Sequence, residues 1–269
     1  MLAMQEGALV DDEAVELYAG FRRVLSGVTS GQNVAIYHNL PHVDQYPVDA
    51  MVFIKLAGVQ LREIPNFVNE FCVFLLHLKT WNQVLAPLEE EERQLPQFEF
   101  VLPVAFFCLG APYALKGRIC TAVAEISNQA NQFKNANWKD TAKLSKPNFN
   151  DAKRLAESWE CWPRLAEALG RLDSEGYSRQ VDDFRNQFHH GLPRQLGFGV
   201  TPFVRRQIRN GHVSYAFGVK PPLDLGEVIA ALEEQYAVAL QCHAAFVGLV
   251  LEQHAQLMAN KRINLTARR

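Results

Sequence analysis

The sequence predicts a mainly α-helical fold with one small β-hairpin. Apolar residues recur at helical spacing through most of the chain, and two segments with alternating apolar residues flank one Asn-Gly dipeptide. A chain of 269 residues, of which 48% are hydrophobic and 21% charged, can bury a core of ordinary size. We expect either one domain, 1–269, or an N-terminal extension of uncertain character, 1–60, before a helical domain, 61–269.

Helical periodicity predicts most of the elements before residue 174. The charged run at 88–96 is typical of a connector, and the polar residues at 131–150 indicate a long loop. The predicted helices of this part are 66–85, a helix that starts at Pro112, 151–160, and 164–172 after Pro163.

One further helix is predicted over residues 174–190. Its buried stripe would include Phe184 and Phe188, and Gly191 suits a left-handed position at its end.

The rest of the chain predicts a hairpin and a last long helix. The hairpin covers about 203–219 and turns at Asn210-Gly211, a dipeptide that favours a two-residue turn. The helix starts at Asp224 and continues for roughly 35 residues with one apolar face.

Composition excludes several classes of protein. The net charge of −2 provides no general attraction for nucleic acid, so any basic surface must be local. Five widely spaced cysteines indicate buried free thiols in a reducing compartment. The acidic N-terminus does not resemble a signal peptide, and the apolar windows are interrupted and too short to span a bilayer. We therefore expect a cytoplasmic protein without a membrane segment.

The segment 174–190 ends in a cluster of polar side chains. Arg185 and His189, and likewise Asn186 and His190, are four residues apart, so each pair lies on neighbouring turns of a helix. Imidazole titrates near neutral pH and can exchange protons with a 2′-hydroxyl or a leaving 5′-oxygen. A guanidinium can stabilise charge on the phosphate. The cluster therefore has the groups that RNA cleavage requires, and neither a metal nor another cofactor is expected.

The hexapeptide RNQFHH at 185–190 resembles the R-N-x-x-x-H form of the motif that marks HEPN domains. The resemblance implies a helical bundle, usually dimeric, whose paired motifs form a metal-independent endoribonuclease site. It also implies a role in toxin–antitoxin systems or antiphage defence. Carried over to this chain, it assigns Arg185 to stabilising phosphate charge, Asn186 to orienting the site, and His190 to general acid–base catalysis.

The partners predicted from the resemblance are RNA, a second copy of the chain, and an antitoxin or regulatory protein. Further residues predicted to bind RNA are His189, Arg194, Arg205, Arg206 and Arg209. The four arginines would form a phosphate-binding edge beside the motif, although a charged, solvated hairpin explains them equally well.

Two other interpretations of the cluster remain open at this point. The segment could be a solvated helix end in which Arg185 pairs with Asp182 or Asp183. Alternatively, the fold could be a catalytically inactive dimer that binds RNA or nucleotides or acts as a scaffold. The remaining histidines are isolated, and His243, on an apolar helical stripe, is expected to be a core residue with its hydrogen bonds satisfied.

Overall fold

The computed structural model describes residues 11–28, 33–40, 50–135, 137–140, 147–209 and 211–266. It confirms a mainly α fold with one small antiparallel hairpin in these residues. The chain divides into two compact units, each made of three segments. Unit 1 comprises residues 1–32, 73–110 and 176–233, and unit 2 comprises 33–72, 111–175 and 234–269.

Nine helices lie in the described part of the chain. They are α1 (Asp11–Val28), α2 (Met51–Leu85), α3 (Glu90–Pro96), α4 (Leu102–Lys134), α5 (Phe149–Ala156), α6 (Trp162–Arg171), α7 (Glu175–Gln180), α8 (Phe184–His190) and α9 (Leu225–Thr266). A π-helical turn, Gln97–Val101, joins α3 to α4. Helix α2 continues through residue 60, the position at which the N-terminal extension was expected to end.

Two helices are longer than predicted, and each contains a proline in its interior. Helix α2 starts at Met51 rather than 66 and includes Pro65. Helix α4 starts at Leu102, so the prediction that it begins at Pro112 is wrong. A single proline removes one backbone donor, and burial of the flanking apolar residues outweighs that loss. The predicted connector at 88–96 is mostly helix α3, whose start is stabilised by a capping box between Glu89 and Glu92.

The same helical run corrects the expectation about apolar length. Residues Glu90–Lys134 form 45 helical residues that contain an 18-residue window with a mean hydropathy of 1.7. By length and composition, this is the one helix among the described residues that could cross a membrane. Buried helices of soluble proteins meet the same criterion, and 39% of that window is buried.

Aromatic side chains hold unit 1 together. Trp81 of α2 stacks between Phe21 of α1 and Phe100 of the π-helical turn, with ring centroids 4.5 and 4.8 Å apart. The hydroxyl of Tyr177 donates to the carbonyl of Leu109 at 3.1 Å and fixes α7 on α4. Helix α8 also packs on α4, through Phe106.

Unit 2 combines an apolar core with buried polar contacts. The side chain of Asn131 donates to the carbonyl of Leu155 at 2.8 Å and accepts from the indole of Trp159 at 2.9 Å. The amide of Gln253 donates to the hydroxyl of Ser127 at 2.8 Å. Each bond satisfies a group that would be costly to bury alone.

The thiols are free in the structure, as predicted. Four are buried and Cys161 is half-buried. Burial raises the pKa of Cys120 to about 11 and that of Cys242 to about 12. These two thiols are therefore protonated and unreactive at neutral pH.

The hairpin forms where it was predicted. Strand β1 (Thr201–Arg209) pairs antiparallel with β2 (His212–Lys220), so that Thr201 lies opposite Lys220 and Arg209 opposite His212. Gly211 has a φ of 78°, a conformation that glycine adopts at little cost.

Candidate functional site

The segment that carries the motif is not one helix, so the prediction of a continuous helix over 174–190 is wrong. Helix α7 ends at Gln180 and α8 starts at Phe184. Between them, Asp182 and Asp183 both have left-handed backbone conformations, with φ of 52° and 51°. Aspartate tolerates this region better than most residues, because its short side chain can hydrogen-bond locally.

Contacts of the two aspartates stabilise the break. The carboxylate of Asp183 accepts from the hydroxyl of Ser178 at 3.2 Å, and its backbone N–H donates to the carbonyl of Ser178 at 2.6 Å. The carboxylate of Asp182 accepts from the ammonium of Lys220 at 2.7 Å and lies 3.9 Å from Nε of Arg194. The break therefore depends on specific partners from both sides of the motif.

Helix α8 buries one aromatic ring, not two. Phe184 is 3% exposed and packs on Phe106 of α4, with ring centroids 5.3 Å apart. Phe188 also contacts Phe106, at 5.0 Å, but is 46% exposed, so its predicted burial is wrong. Phe188 lies one turn after Phe184, near the end of α8, where nearly half of its side chain remains in solvent.

Helix α8 also ends differently from the prediction. Gly191 has φ and ψ of −155° and −142°, an extended conformation, so the expected left-handed end is not formed. Its N–H still donates to the carbonyl of Gln187 at 2.8 Å, and a Cβ at this position would meet the side chain of Gln187. Gly191 therefore ends α8 without the left-handed conformation for which glycine is preferred at this position.

The polar side chains of the motif lie on α8 as the four-residue spacing predicts. Asn186, His189 and His190 are exposed, and Arg185 is half-buried. The rings of His189 and His190 are 6.3 Å apart, and His189 packs edge-on against Phe188 at 5.5 Å. The amide of Asn186 donates to the carboxylate of Asp183 at 3.0 Å. Asp183 thus holds the asparagine one turn before His190.

The structure does not bring the four predicted arginines to one edge. Strand alternation places Arg205 and Arg206 on opposite faces of the hairpin. Arg194 donates to the carbonyls of Pro221 and Pro222 at 2.9 and 3.0 Å, so its guanidinium is used within the protein. The side chain of Arg209 lies outside the described residues.

The base of the hairpin is fixed beside the motif. The chain after α8 pairs with the chain after β2: the N–H of Gly197 donates to the carbonyl of Leu223, and the N–H of Leu223 donates to the carbonyl of Gln195, both at 2.8 Å. The buried side chain of Gln97, in the π-helical turn, donates to the carbonyl of Leu196. Together with the ion pair between Lys220 and Asp182, these bonds couple the position of the hairpin to the start of α8.

A second histidine site lies in unit 2. His243 is buried, but among the described residues none makes a hydrogen bond to its Nε2, so the expectation of a satisfied side chain is wrong. Its ring lies 6.2 Å from that of His38. Burial, and to a smaller extent His38, lowers the pKa of His243 to about 4. In the part of the chain that the structure describes, no group of three or more His, Cys, Asp or Glu side chains could hold a metal ion.

The motif was predicted from the sequence, but the residues that position it were not. The contacts of Asp183 depend on the break between α7 and α8, and the ion pair between Asp182 and Lys220 depends on the base of the hairpin lying beside that break. Neither the break nor this placement of the hairpin was predicted. The Asp-Asp pair itself was the available signal, since two adjacent aspartates favour turns over helix interiors.

Comparison of the chain with models of known protein families, with curated proteins and with solved structures gives no match in any of the three.

Proposed function

We propose that the protein is a metal-independent endoribonuclease with its site on α8, in line with the resemblance to HEPN domains. The observation that carries the proposal is the placement of Arg185 and His190 on one short helix, with both imidazoles of the motif exposed. Exposed acid–base groups can reach a phosphodiester of a large substrate such as RNA without a deep pocket.

Each side chain has a role that follows from its position. The imidazole of His190 takes the proton of a 2′-hydroxyl, and that oxygen attacks the adjacent phosphorus while the bond to the 5′-oxygen breaks. Arg185 donates to the phosphate oxygens as negative charge accumulates on them. Asn186, held by Asp183, presents a fixed polar group to the ribose. His189, packed against Phe188, contributes to binding.

The leaving 5′-oxygen needs a second proton-transfer group. We propose that His190 of a second copy supplies it, with the two motifs facing each other across a two-fold axis. We expect sedimentation to show a dimer at micromolar concentration. A monomer with full activity would contradict this arrangement and leave His189, whose ring is 6.3 Å from His190, as the second group.

The proposed activity is tested with a defined single-stranded RNA in the presence of EDTA. The wild type should cleave the RNA and leave DNA of the same sequence intact, because DNA has no 2′-hydroxyl. His190→Ala and His190→Gln should each lose on the order of 10²-fold or more in rate. His254→Ala, which removes a histidine of α9 outside the motif, should retain full activity. Cleavage by His190→Ala at the wild-type rate would overturn the proposal.

The same assay separates catalysis from the alternative of an inactive RNA-binding or scaffold dimer. A protein that binds RNA without cleaving it, and whose RNA binding is unaffected by His190→Ala, would match the alternative. The defence role implied by the resemblance adds a cellular test: expression of the wild type should arrest growth, and expression of His190→Ala should not. A protein that relieves this arrest by binding the chain would be the proposed antitoxin.

A further inference from the structure

One face of the hairpin carries apolar side chains in solvent. The side chains of this outer face belong to Pro202, Val204, Arg206 and Ile208 of β1 and to Val213, Tyr215, Phe217 and Val219 of β2. Phe217 is 78% exposed and Tyr215 58% exposed. The area is on the order of several hundred Å², a size at which an exposed apolar patch usually has a function.

The opposite face of the hairpin is built differently. On that face the middle of β2 carries Ser214, Ala216 and Gly218, and the ring of Phe203 lies so close to Gly218 that a Cβ there would be 2.6 Å from it. The hydroxyl of Thr201 accepts from the backbone N–H of Gln195 at 2.9 Å and fixes the base of β1. The outer face therefore presents the larger apolar side chains, on a hairpin whose base is fixed to the rest of the protein.

The charge of the hairpin favours a polyanion. Residues 201–220 contain three arginines and one lysine and no acidic residue, a formal charge of +4 in a chain whose net charge is −2. Lys220 at the base pairs with Asp182, and the arginines lie further along the strands. Of the three arginines, Arg206 lies on the outer face, and a cation beside exposed aromatic rings is the arrangement that binds single-stranded nucleic acid.

The position of Arg206 makes two other partners of this face unfavourable, a second hairpin and a lipid bilayer. It lies opposite Tyr215, in the middle of the apolar residues. A second hairpin packed face to face would bury two copies of Arg206 with no acidic residue on either hairpin to pair with them. Insertion into a lipid bilayer would move the same guanidinium towards hydrocarbon. Nucleic acid offers a base to stack on each aromatic ring and a phosphate to pair with Arg206.

We propose that the outer face binds unpaired nucleotides of the RNA, with bases stacked on Tyr215 and Phe217 and a phosphate bound by Arg206. Side chains two residues apart on a strand are about 7 Å apart, roughly twice the rise of stacked nucleotides. The two rings therefore accept bases that are unstacked from each other, which a duplex does not offer. The identity of the nucleic acid as RNA rests on the proposed function, whereas the preference for single strands rests on the hairpin alone.

The test measures binding of the full chain by fluorescence anisotropy, with a labelled 12-nucleotide single-stranded DNA as a probe that the proposed chemistry cannot cleave. A duplex of the same length is the competitor. Tyr215→Ala and Phe217→Ala should each weaken binding about tenfold. Val219→Ala, which shortens an exposed aliphatic side chain of the same face, should change it less than about twofold. Arg206→Gln should reduce the slope of log affinity against log salt by about one.

The outcomes separate this inference from the proposed function. Unchanged binding by both aromatic variants, or a duplex bound as tightly as the single strand, overturns the inference even if RNA is still cleaved. Loss of binding in the aromatic variants with no cleavage of RNA by the wild type supports the inference and overturns the endoribonuclease proposal. A dimer that becomes a monomer in Phe217→Ala, with oligonucleotide binding unchanged, identifies the face as a contact between copies and overturns the inference.

Discussion

The segment at 175–190 and helix α9 both show apolar residues at helical spacing, yet they fold in different ways. Helix α9 runs without interruption for 42 residues, and the side chain of Asp224 accepts from the N–H of Glu227 at 2.9 Å at its start. The segment at 175–190 divides into helices of six and seven residues around the left-handed Asp182 and Asp183. In one segment the pattern produces a long core helix, and in the other it produces a short helix with exposed polar groups.

The difference shows what holds each segment in place. Helix α9 buries apolar side chains along most of its length, so packing determines its structure. Helix α8 is too short to be stable alone and buries only Phe184, so it depends on that ring and on the contacts of Asp182 and Asp183. Local departures from helical rules often occur at functional sites, where position matters more than stability.

The largest expected effect concerns the two aromatic rings of α8. Phe184→Ala should lower the free energy of unfolding by about 3 to 5 kcal/mol, because it leaves a cavity against Phe106. Phe188→Ala should cost only about 1 kcal/mol, because nearly half of that side chain is already exposed. Urea unfolding of both variants measures the difference. Equal losses would show that α8 is packed as one buried stripe, like α9.

Arg185→Ala tests whether the motif is catalytic or structural. The rate of RNA cleavage should fall on the order of 10²-fold, since the phosphate loses a charged donor. The free energy of unfolding should change by about 1 kcal/mol or less, the usual effect of a substitution outside the core. Arg185→Lys keeps the charge without the planar fork and should recover only part of the rate. Unfolding of Arg185→Ala would assign the arginine to structure.

Helix α9 should respond to acid through His243. Its pKa is lowered from 6.5 to about 4 by burial, so between these values the unfolded chain binds a proton that the folded chain does not. The free energy of unfolding should therefore fall as the pH decreases through this window, by up to about 3 kcal/mol. Burial also lowers the pKa of His77 and His254, which adds to the slope. The check is the comparison with His243→Met, whose unfolding should depend less on pH.

The smallest expected effect concerns the break between α7 and α8. Asp183→Asn retains a residue that tolerates the left-handed conformation but weakens the bonds from Ser178 and Asn186. The free energy of unfolding should fall by about 1 kcal/mol or less, and cleavage several-fold, because Asn186 loses its charged acceptor. Asn186→Ala is the matched comparison. If Asp183→Asn lowers activity while Asn186→Ala does not, the aspartate acts by another route.

The fold was largely predictable from the sequence, because apolar periodicity and the Asn-Gly turn are local signals. Helix boundaries were less predictable, since burial around Pro65 and Pro112 outweighs the loss of a backbone donor. The motif residues could be identified by their spacing, whereas the break had only one local signal, the adjacent Asp182 and Asp183. It depends in part on Lys220, 38 residues away in the sequence, and periodicity carries no information about such a contact.

In the proposed mechanism, histidine and arginine side chains of α8 cleave RNA by attack of its own 2′-hydroxyl. The most direct measurement is end-group analysis of RNA cleaved by the wild type in EDTA, with His190→Ala as the control. This mechanism should leave a 2′,3′-cyclic phosphate, or its hydrolysed form, on one product and a free 5′-hydroxyl on the other, with neither product in the control. Products with 5′-phosphate ends, or cleavage that disappears in EDTA, would contradict it.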